Sequence, residues 1–305
     1  MATTTESADS AAIEAHDLRM RYGDTDVVRG IDLDVHRGEV LALLGPNAAG
    51  KTTTIEILEG FRQRSGGQVR VLGTDPDTAG RRWRERIGIV LQSWRDHARW
   101  RVGELLTHIA AHYPNPRDPE QVLHLVGLNN HAGQRAERLS GGQRRRLDVA
   151  LGIIGRPELL FLDEPTAGFD PQARRDFHEL IERLAGTEET TVLLTTHDLV
   201  EAERLADRIA ILVAGELAGC GTPAELATVV RAEAQVRWSA DGVPRRELTP
   251  DPSQFVWELH RAFDGPVPDL EVRRPSLEDT YLHLVHHGNG VAEVAGQQQA
   301  REVST

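Results

Sequence analysis

The chain has 305 residues, a formal net charge of -12 at pH 7 and a mean hydropathy of -0.39. This acidic balance disfavours bulk attraction to nucleic acid, which requires many basic side chains to neutralise phosphates, so we expect no nucleic-acid partner. No apolar run approaches the roughly 20 residues that cross a bilayer. The single cysteine, Cys220, excludes an internal disulfide and is compatible with a reducing cytoplasm.

The N-terminal part of the chain predicts a disordered lead followed by a small sheet. Residues 1–12 are rich in Thr, Ser and Ala, and they lack the basic start and apolar stretch of a secretory signal. Ile31–Val35 alternates between apolar and acidic residues, as a half-exposed antiparallel strand does. Together with Ile13–Leu18 and Val69–Leu72, it predicts a small antiparallel β layer.

A glycine-containing loop lies between a predicted strand, Glu39–Leu44, and a predicted helix, Thr53–Leu58. Its pattern is GxxxxGK[ST], in which loop N–H groups and the helix N-terminus bind phosphates. Lys51, the only lysine in the chain, would reach the β- and γ-phosphates, and Thr52 would ligate Mg²⁺. A glycine turn without a ligand is the alternative. The nucleotide-binding candidates here are Gly45, Pro46, Asn47, Ala48, Ala49, Gly50, Lys51, Thr52 and Thr53.

Two adjacent carboxylates follow a second buried strand. Leu159–Leu162 is apolar, and Asp163 and Glu164 come directly after it. A phosphate-binding loop needs a carboxylate for Mg²⁺ at the end of a neighbouring strand, which favours Asp163 for the metal. Glu164 is then the candidate general base for the attacking water, since adjacent side chains on an extended segment point to different sides. Taken alone, the Asp-Glu pair could also form a helix cap or a surface turn.

A second glycine-containing segment, Leu139–Gln143, opens a predicted helix. Apolar residues recur at helical spacing from Arg144 to Gly155, and Ser140 occupies the N-cap position. The exposed N-terminus of such a helix is able to receive phosphate. The alternative is a helix cap after a glycine turn, with no further role.

The segment LSGGQ, placed between the phosphate-binding loop and a strand ending in LDEP, resembles the signature of the ABC ATPases. The remaining motifs of that family occur in the same order over about residues 13–220. Gln92 resembles the Q-loop glutamine, Asp170 the D-loop aspartate, His197 the switch histidine, and Tyr22 the aromatic residue that stacks on adenine. The resemblance implies catalytic roles for Glu164, His197 and Gln92, nucleotide contacts from Tyr22, Ser140, Gly142, Gln143 and Asp170, and Mg²⁺ ligation by Thr52, Gln92 and Asp163.

Two positions depart from the family pattern, and one segment is unusual in composition. Ala48 stands where glycine is usual, and if that position needs a positive φ, alanine costs on the order of 1 kcal/mol. Phe169 replaces the commoner leucine of the D-loop. The segment 93–100 is rich in Trp and Arg, and this is where the family meets its membrane partner. Partner specificity is therefore the property least defined by the resemblance.

The remaining pattern of the cassette predicts an α/β fold. Strands at 40–44, 87–91, 159–162, 191–196 and 208–213 alternate with helices, which favours a mostly parallel core sheet. Residues from about 93 to 155 are helical by pattern and would form a helical subdomain. The fold class is therefore a P-loop NTPase of the ABC type at 13–222, with a parallel core sheet, an antiparallel β layer and a helical subdomain.

Beyond Thr222 we expect a small α+β accessory domain, 223–287, and a disordered tail, 288–305. A helix is predicted at 223–231, short strands at 234–238 and 255–259, and a helix at 275–284. This last helix resembles the closing motif of the daunorubicin-type antibiotic-resistance ATPases, whose permeases are of the ABC-2 exporter class. An amphipathic helix that docks on its own domain or on a second copy is the alternative.

The resemblance also implies partners. ABC cassettes pair head to tail, so that two ATP molecules with Mg²⁺ are buried between two copies, and they bind a separate membrane permease at the cytoplasmic face of the membrane. We expect an ATPase that drives export. The alternatives are an ABC ATPase that acts on ribosomes or nucleic acid without a permease, and a nonenzymatic ATP-gated regulator. Against the first, no second cassette and no long coiled coil is present; against the second, Glu164 and His197 are retained.

Overall fold

The computed structural model describes residues 11–90, 97–188, 190–229, 234–240, 242–263, 265–273 and 276–285. The chain forms two compact units, 1–218 and 219–305, whose division falls slightly ahead of the predicted boundary after Thr222. The prediction for Gln92 lies outside the described residues, as do those for most of the lead and for the tail at 288–305. None of the helices within the described ranges is both long and apolar enough to cross a bilayer.

The first unit alternates strands and helices over most of its length. Its strands are β1 (Ala11–Tyr22), β2 (Thr25–His36), β3 (Val40–Leu44), β4 (Gly66–Val71), β5 (Ile87–Val90), β6 (Leu159–Asp163), β7 (Thr191–Thr196), β8 (Arg208–Val213) and β9 (Glu216–Gly221), the last of which continues past Ala218. Its helices are α1 (Lys51–Leu58), α2 (Arg81–Arg84), α3 (Val102–Ala110), α4 (Pro119–Leu125), α5 (Gly141–Ile153), α6 (Pro171–Glu188) and α7 (Leu199–Leu205).

The antiparallel layer is confirmed, with the strand order β2-β1-β4. Ile13 pairs with Val35 on one side and with Val71 on the other, and Ile13 is fully buried. The strand β1 begins earlier than we predicted, since Ala11 already pairs with His36. Ala12 is buried, and this burial extends the sheet into the end of the segment 1–12 that we expected to be disordered.

The predicted core sheet is also confirmed, and it has the order β5-β6-β7-β3-β8-β9. The ladders β5–β6, β6–β7, β7–β3 and β3–β8 are parallel, and every residue of β3, β6 and β7 is buried, as expected for strands covered on both faces. Parallel strands end at the same edge of the sheet, which is where open α/β sheets bind ligands. Gly45, Asp163 and His197 therefore come to one edge. The strand β9 was not predicted.

Helix α5 lies directly on β5 because two glycines remove the side chains between them. A Cβ atom at Gly88 would lie 2.3 Å from the carbonyl oxygen of Gly152, and a Cβ atom at Gly152 would lie 2.9 Å from Val90 Cγ2. Leu147, Leu151 and other apolar residues of α5 are buried. The helix that begins at Ser140 is therefore held close to the core sheet.

The second unit contains a sheet of order β11-β10-β12, formed by β10 (Ala234–Ala240), β11 (Val243–Thr249) and β12 (Glu271–Arg273). Its helices are α8 (Pro223–Val229), α9 (Pro252–Phe263) and α10 (277–285). Val236 of β10, Leu259 of α9 and Val267 form its small apolar core. Ser276 and Asp279 cap α10 reciprocally, each accepting a backbone N–H bond from the other.

The predicted strand at 255–259 is wrong, because this segment belongs to α9. Asp251 Oδ1 accepts the N–H of Gln254 at 2.9 Å and so caps the helix start. Phe255, Leu259 and Phe263 recur every four residues and face the same core. A window of five residues is too short to separate this helical period from a strand. The strands β11 and β12 were also missed, since their residues are mostly exposed and lack apolar alternation.

Two Gly→Ala substitutions should act in opposite directions. We expect Gly88→Ala to lower the free energy of unfolding by roughly 1–3 kcal/mol, because the new methyl group would force α5 away from β5. Gly186→Ala, in α6 and facing open space, should raise it by about 0.5–1 kcal/mol through helix propensity. Urea unfolding of the two variants measures both effects, and an unaltered midpoint for Gly88→Ala would contradict the close packing.

Candidate functional site

The predicted phosphate-binding loop follows the buried end of β3 and leads into α1. Gly50 is the N-cap of α1 and has φ 102°, and a Cβ atom there would lie 2.9 Å from the carbonyl oxygen of Val27. As a glycine, this N-cap residue has no side chain with which to cap α1. Backbone N–H groups at an uncapped helix start are suited to bind an anion.

The Lys51 side chain is 6% exposed and curls back over the loop. Its Nζ donates to the carbonyl oxygens of Gly45 at 2.8 Å and Pro46 at 3.1 Å, and it lies 3.8 Å from Glu164 Oε1. Burial lowers the pKa of Lys51, while the carboxylates of Glu164 and Asp163 oppose that shift. The ammonium group is therefore held between the loop and the carboxylates that follow β6.

The neighbouring threonines differ in accessibility. Thr52 is exposed and Thr53 is half-buried, whereas Thr54 is buried and donates its hydroxyl to the Gly50 carbonyl at 2.9 Å. Asn47 and Ala48 are exposed at the tip of the loop, and Ala49 is buried. Thr52 is thus a hydroxyl at the start of α1 that an incoming ligand can reach.

Ala48 adopts φ 65°, in the left-handed region that disfavours a residue with a Cβ atom. The positive φ on which the expected cost of alanine at this position depends is therefore present. Gly45 and Gly50 on either side let the loop lie close to neighbouring backbone, since Cβ atoms there would be 2.3 Å from the Leu212 carbonyl oxygen and 2.9 Å from that of Val27. The alanine stores a small amount of backbone strain at the loop tip.

Asp163 and Glu164 are held by a threonine that the sequence analysis missed. Thr195, on the neighbouring strand β7, donates its hydroxyl to Asp163 Oδ1 at 2.5 Å and accepts the N–H of Glu164 at 3.0 Å. Both Asp163 and Thr195 are buried. One hydroxyl thus orients the carboxylate of Asp163 and the backbone of Glu164. The register of β6 and β7, which pairs Asp163 with Thr195, brings them together.

Glu164 lies at the centre of the constellation. Its Oε1 is 3.4 Å from His197 Nδ1 and 3.8 Å from Lys51 Nζ, and its side chain is 18% exposed. Lys51 follows β3, Glu164 follows β6 and His197 follows β7. The structure therefore brings together three of the predicted site residues from three separate parts of the chain. Among them His197 is the most exposed, at 57% of its side chain.

Two buried charged residues contact the backbone and side chains around Glu164, and neither carries a signal in the sequence. Arg145 of α5 donates from its guanidinium to the carbonyl oxygens of Asp163 and Pro165. Glu201 of α7 accepts the hydroxyls of Thr166 at 2.7 Å and Thr196 at 2.6 Å. A charged residue within a helix is usually exposed, so only the packing reveals that these two are buried.

Glu59, at the end of α1, is mostly protonated at neutral pH and so adds little negative charge to this region. Burial, together with the nearby carboxylates of Asp163 and Glu56, raises its pKa to about 8. A protonated Glu59 avoids repulsion with Asp163. The negative charge beside Lys51 is thus contributed by Asp163 and Glu164.

The N-terminus of α5 is a complete capping box. Ser140 Oγ accepts the N–H of Gln143, and Gln143 Oε1 accepts the N–H of Ser140 at 3.0 Å. The Gln143 amide also contacts His131 Nε2 at 3.0 Å, so its side chain is engaged within its own chain. Ser140 is exposed, and Gly142 is half-buried beside Ala173. Nucleotide contacts by these residues stay a prediction.

The other predicted residues lie at exposed positions. Asp170 caps α6 by accepting the N–H groups of Gln172 and Ala173 at 2.9 and 2.8 Å. Phe169 packs edge-on against Phe177 of α6, with 5.9 Å between ring centroids. Tyr22, at the end of β1, is 39% exposed, and the Arg62 guanidinium lies 5.1 Å above its ring. A flat, accessible aromatic face is the property that base stacking requires.

Comparison with known proteins agrees with this geometry. The family model described as ABC transporter matches residues 28–167. The chain is 34% identical to the daunorubicin resistance ATP-binding protein DrrA3 of Streptomyces coeruleorubidus, over 93% of this chain and 99% of that protein. It is 38% identical to the Nod factor export ATP-binding protein I of Cupriavidus pinatubonensis, over 71% and 68%. Among solved structures, cbiO1 from Clostridium perfringens, part of the ABC transporter complex cbiONQ, superposes with a TM-score of 0.65 at 27% identity, over 71% of this chain and 90% of that one.

Ala48→Gly should stabilise the protein by about 0.5–1 kcal/mol. The change removes a left-handed penalty of roughly 1–2 kcal/mol, from which the greater backbone entropy of glycine subtracts roughly 0.5–1 kcal/mol. Ala185→Gly, within α6 and without a positive φ, is the matched control and should destabilise by about 0.5–1 kcal/mol. Thermal unfolding distinguishes the two signs, and a loss of stability in Ala48→Gly would contradict strain at this position.

Proposed function

Because this chain belongs to the ABC transporter family, as an ATP-binding subunit with ATPase activity, we propose that it powers export through a separate membrane permease. The cargo would be a drug, an antibiotic or a lipid-like compound. The observation that carries this proposal is the likeness to a daunorubicin resistance ATP-binding protein along nearly its whole length. The similarity to a Nod factor export protein favours the same direction of transport.

The loop 45–50 and the start of α1 would bind the phosphates of ATP. Backbone N–H groups of the loop and the dipole of α1 favour negative charge there. Lys51 would exchange its hydrogen bonds to the Gly45 and Pro46 carbonyls for hydrogen bonds to phosphate oxygens. The new bonds would be stronger, because both the donor and the acceptor are charged. Tyr22 would stack on adenine.

The oxygen donors of the site fit Mg²⁺. This ion prefers hard oxygen ligands, and Thr52 offers an accessible hydroxyl while Asp163 offers a carboxylate oriented by Thr195. Gln92 would complete the set. When bound with ATP, Mg²⁺ neutralises charge on the phosphates.

For hydrolysis, Glu164 is the general base in this proposal. Its carboxylate lies between Lys51 and His197, so it could accept a proton from a water placed in line with the γ-phosphate. His197 would orient Glu164 and contact the γ-phosphate. Gln92 would assist at the same centre.

A second copy of the chain would complete the site. Ser140, Gly142 and Gln143 of one copy, together with Asp170, would meet the nucleotide bound by the other in a head-to-tail pair. The exposed, capped start of α5 supports this role for Ser140, because its hydroxyl is at the surface. ATP would join the copies, and hydrolysis would release them.

The permease would be of the ABC-2 exporter class, with the chain bound peripherally at the cytoplasmic face of the membrane. In this proposal residues 13–222 form the ATPase domain, whose helical subdomain at about 93–155 meets the permease, and 223–287 form an accessory domain. Helix α10 carries the short resemblance to daunorubicin-type ATPases.

Glu164→Gln should lower ATP turnover by roughly 10²- to 10⁴-fold, the usual size of a general-base effect, with little change in ATP binding. The amide keeps the shape of the side chain but cannot take a proton. Phosphate release and equilibrium binding of ATP measure the two properties separately. Glu182→Gln, on the exposed face of α6, is the matched control. Native turnover in Glu164→Gln would remove Glu164 from this role.

Co-expression with candidate six-helix permeases tests the transport proposal. We expect one permease to co-purify with the chain and to raise its ATP turnover, and the Glu164→Gln variant to co-purify without that increase. Binding to ribosomes or nucleic acid, with turnover stimulated by them and by no permease, would contradict the proposal and favour an ABC ATPase without a membrane partner.

A further inference from the structure

Arg145 is a buried charged side chain that contacts the backbone on both sides of Glu164. Its Nη2 donates to the Asp163 carbonyl at 2.8 Å, and its Nε donates to the Pro165 carbonyl at 3.0 Å. The residue is 7% exposed. The planar guanidinium has several donors in fixed directions, which allows one side chain to hold two carbonyl groups at once.

Burying an arginine is unfavourable unless its charge and its donors are satisfied. Burial lowers the pKa of Arg145, and the nearby carboxylates of Asp148, Asp163 and Glu201 oppose that shift. An apolar residue would avoid this cost, but it could not hold the two carbonyls. Arg145 therefore contributes by holding the backbone in place and not only by filling space in the core.

The backbone that Arg145 holds is strained. Glu164 adopts φ 43°, a left-handed conformation that costs a residue with a side chain and persists only when its surroundings enforce it. Thr195 accepts the N–H of Glu164, and Arg145 holds the carbonyls of the residues before and after it. Together these contacts determine where the Glu164 carboxylate points.

Arg145 also links this turn to the start of α5. Ser140 is the N-cap of α5, and Arg145 lies in the second turn, about 7.5 Å along the axis at 1.5 Å per residue. The helix packs closely on β5 through Gly88 and Gly152, and its first turn carries the capping box of Ser140. The exposed hydroxyl of Ser140 and the carbonyls beside Glu164 therefore belong to one rigid connection.

We propose that Arg145 is a positioning residue for the hydrolytic reaction, because it ties the backbone on both sides of Glu164 to α5. In a pair of copies, the orientation of the general base in one nucleotide site would then depend on the helix whose N-terminus meets the nucleotide of the other site. This inference rests on the proposed function, in which Glu164 is the base and Ser140 faces the second copy. Contact at Ser140 would then hold Glu164 in its reactive orientation.

Arg145→Lys and Arg145→Gln test the positioning role. Lysine keeps the charge and glutamine keeps one donor, but neither can hold both carbonyls in the geometry of a guanidinium. We expect kcat to fall about 10- to 100-fold, as misplacement of a reacting group does, while KM for ATP changes less than about threefold. ATP binding and thermal unfolding identify which variant is folded, and that variant is assayed.

Combination with Glu164→Gln separates positioning from general damage. If Arg145 acts through Glu164, Arg145→Lys should leave the residual turnover of the Glu164→Gln protein nearly unchanged, since the group it orients is already gone. A general structural defect would instead lower the turnover of the native protein and of the Glu164→Gln protein by the same factor. That result would overturn the proposal. So would native kcat in a folded Arg145 variant.

Arg86→Lys is the matched control. Arg86 also makes several bonds, to Glu158 and to the Leu72 carbonyl, but it precedes β5 at the opposite end of the core sheet. We expect native kcat within about twofold in this variant. Native turnover in the Glu164→Gln single variant would instead show that Glu164 is not the general base. The experiment therefore distinguishes a wrong assignment of the base from a wrong assignment of Arg145 as its positioning residue.

Discussion

The parallel pairing of β3, β7 and β6 is the constraint on which the rest of the site depends. This register aligns Leu44 with Thr196, and Asp163 with Thr195, so the residues that follow each strand emerge at one edge of the sheet. Lys51 and His197 come within 3.8 and 3.4 Å of Glu164 because these three strands end at the same edge. A shift of the pairing by one residue would turn these side chains to the other face.

Buried charge is concentrated around this edge, and four of these side chains have hydrogen-bond partners that reduce the cost of burial. Lys51 is bound by loop carbonyls, and Asp163 by the Thr195 hydroxyl. Arg145 holds backbone carbonyls, and Glu201 accepts two threonine hydroxyls. Removing one member of such a pair leaves a buried group without a hydrogen-bond partner. The free-energy cost of that unpaired group exceeds the net stabilisation that the pair provides. The network thus favours one geometry of the turn between β6 and α6.

Backbone strain and buried charge meet at the same place. Glu164 and Ala48 both adopt a positive φ, and they lie on the two segments that face the expected phosphates. The strain at Ala48 was predicted, conditionally, from a departure in the family motif. The strain at Glu164 was not, because a glutamate after an apolar strand carries no signal of its φ angle.

Local pattern by itself determined the order of most elements, the phosphate-binding loop and the two carboxylates that follow β6, because motif spacing and apolar runs depend on residues close in the chain. His197 was singled out by the resemblance to the ABC ATPases. Local pattern failed at α9, where a window of five residues, four of them apolar, suits a strand or a helix equally, and at β11 and β12, which have little apolar alternation. Tertiary structure alone decided the roles of Thr195, Arg145 and Glu201. Their partners are distant in sequence, and burial, which turns a common polar residue into a fixed one, arises only when sheets and helices pack.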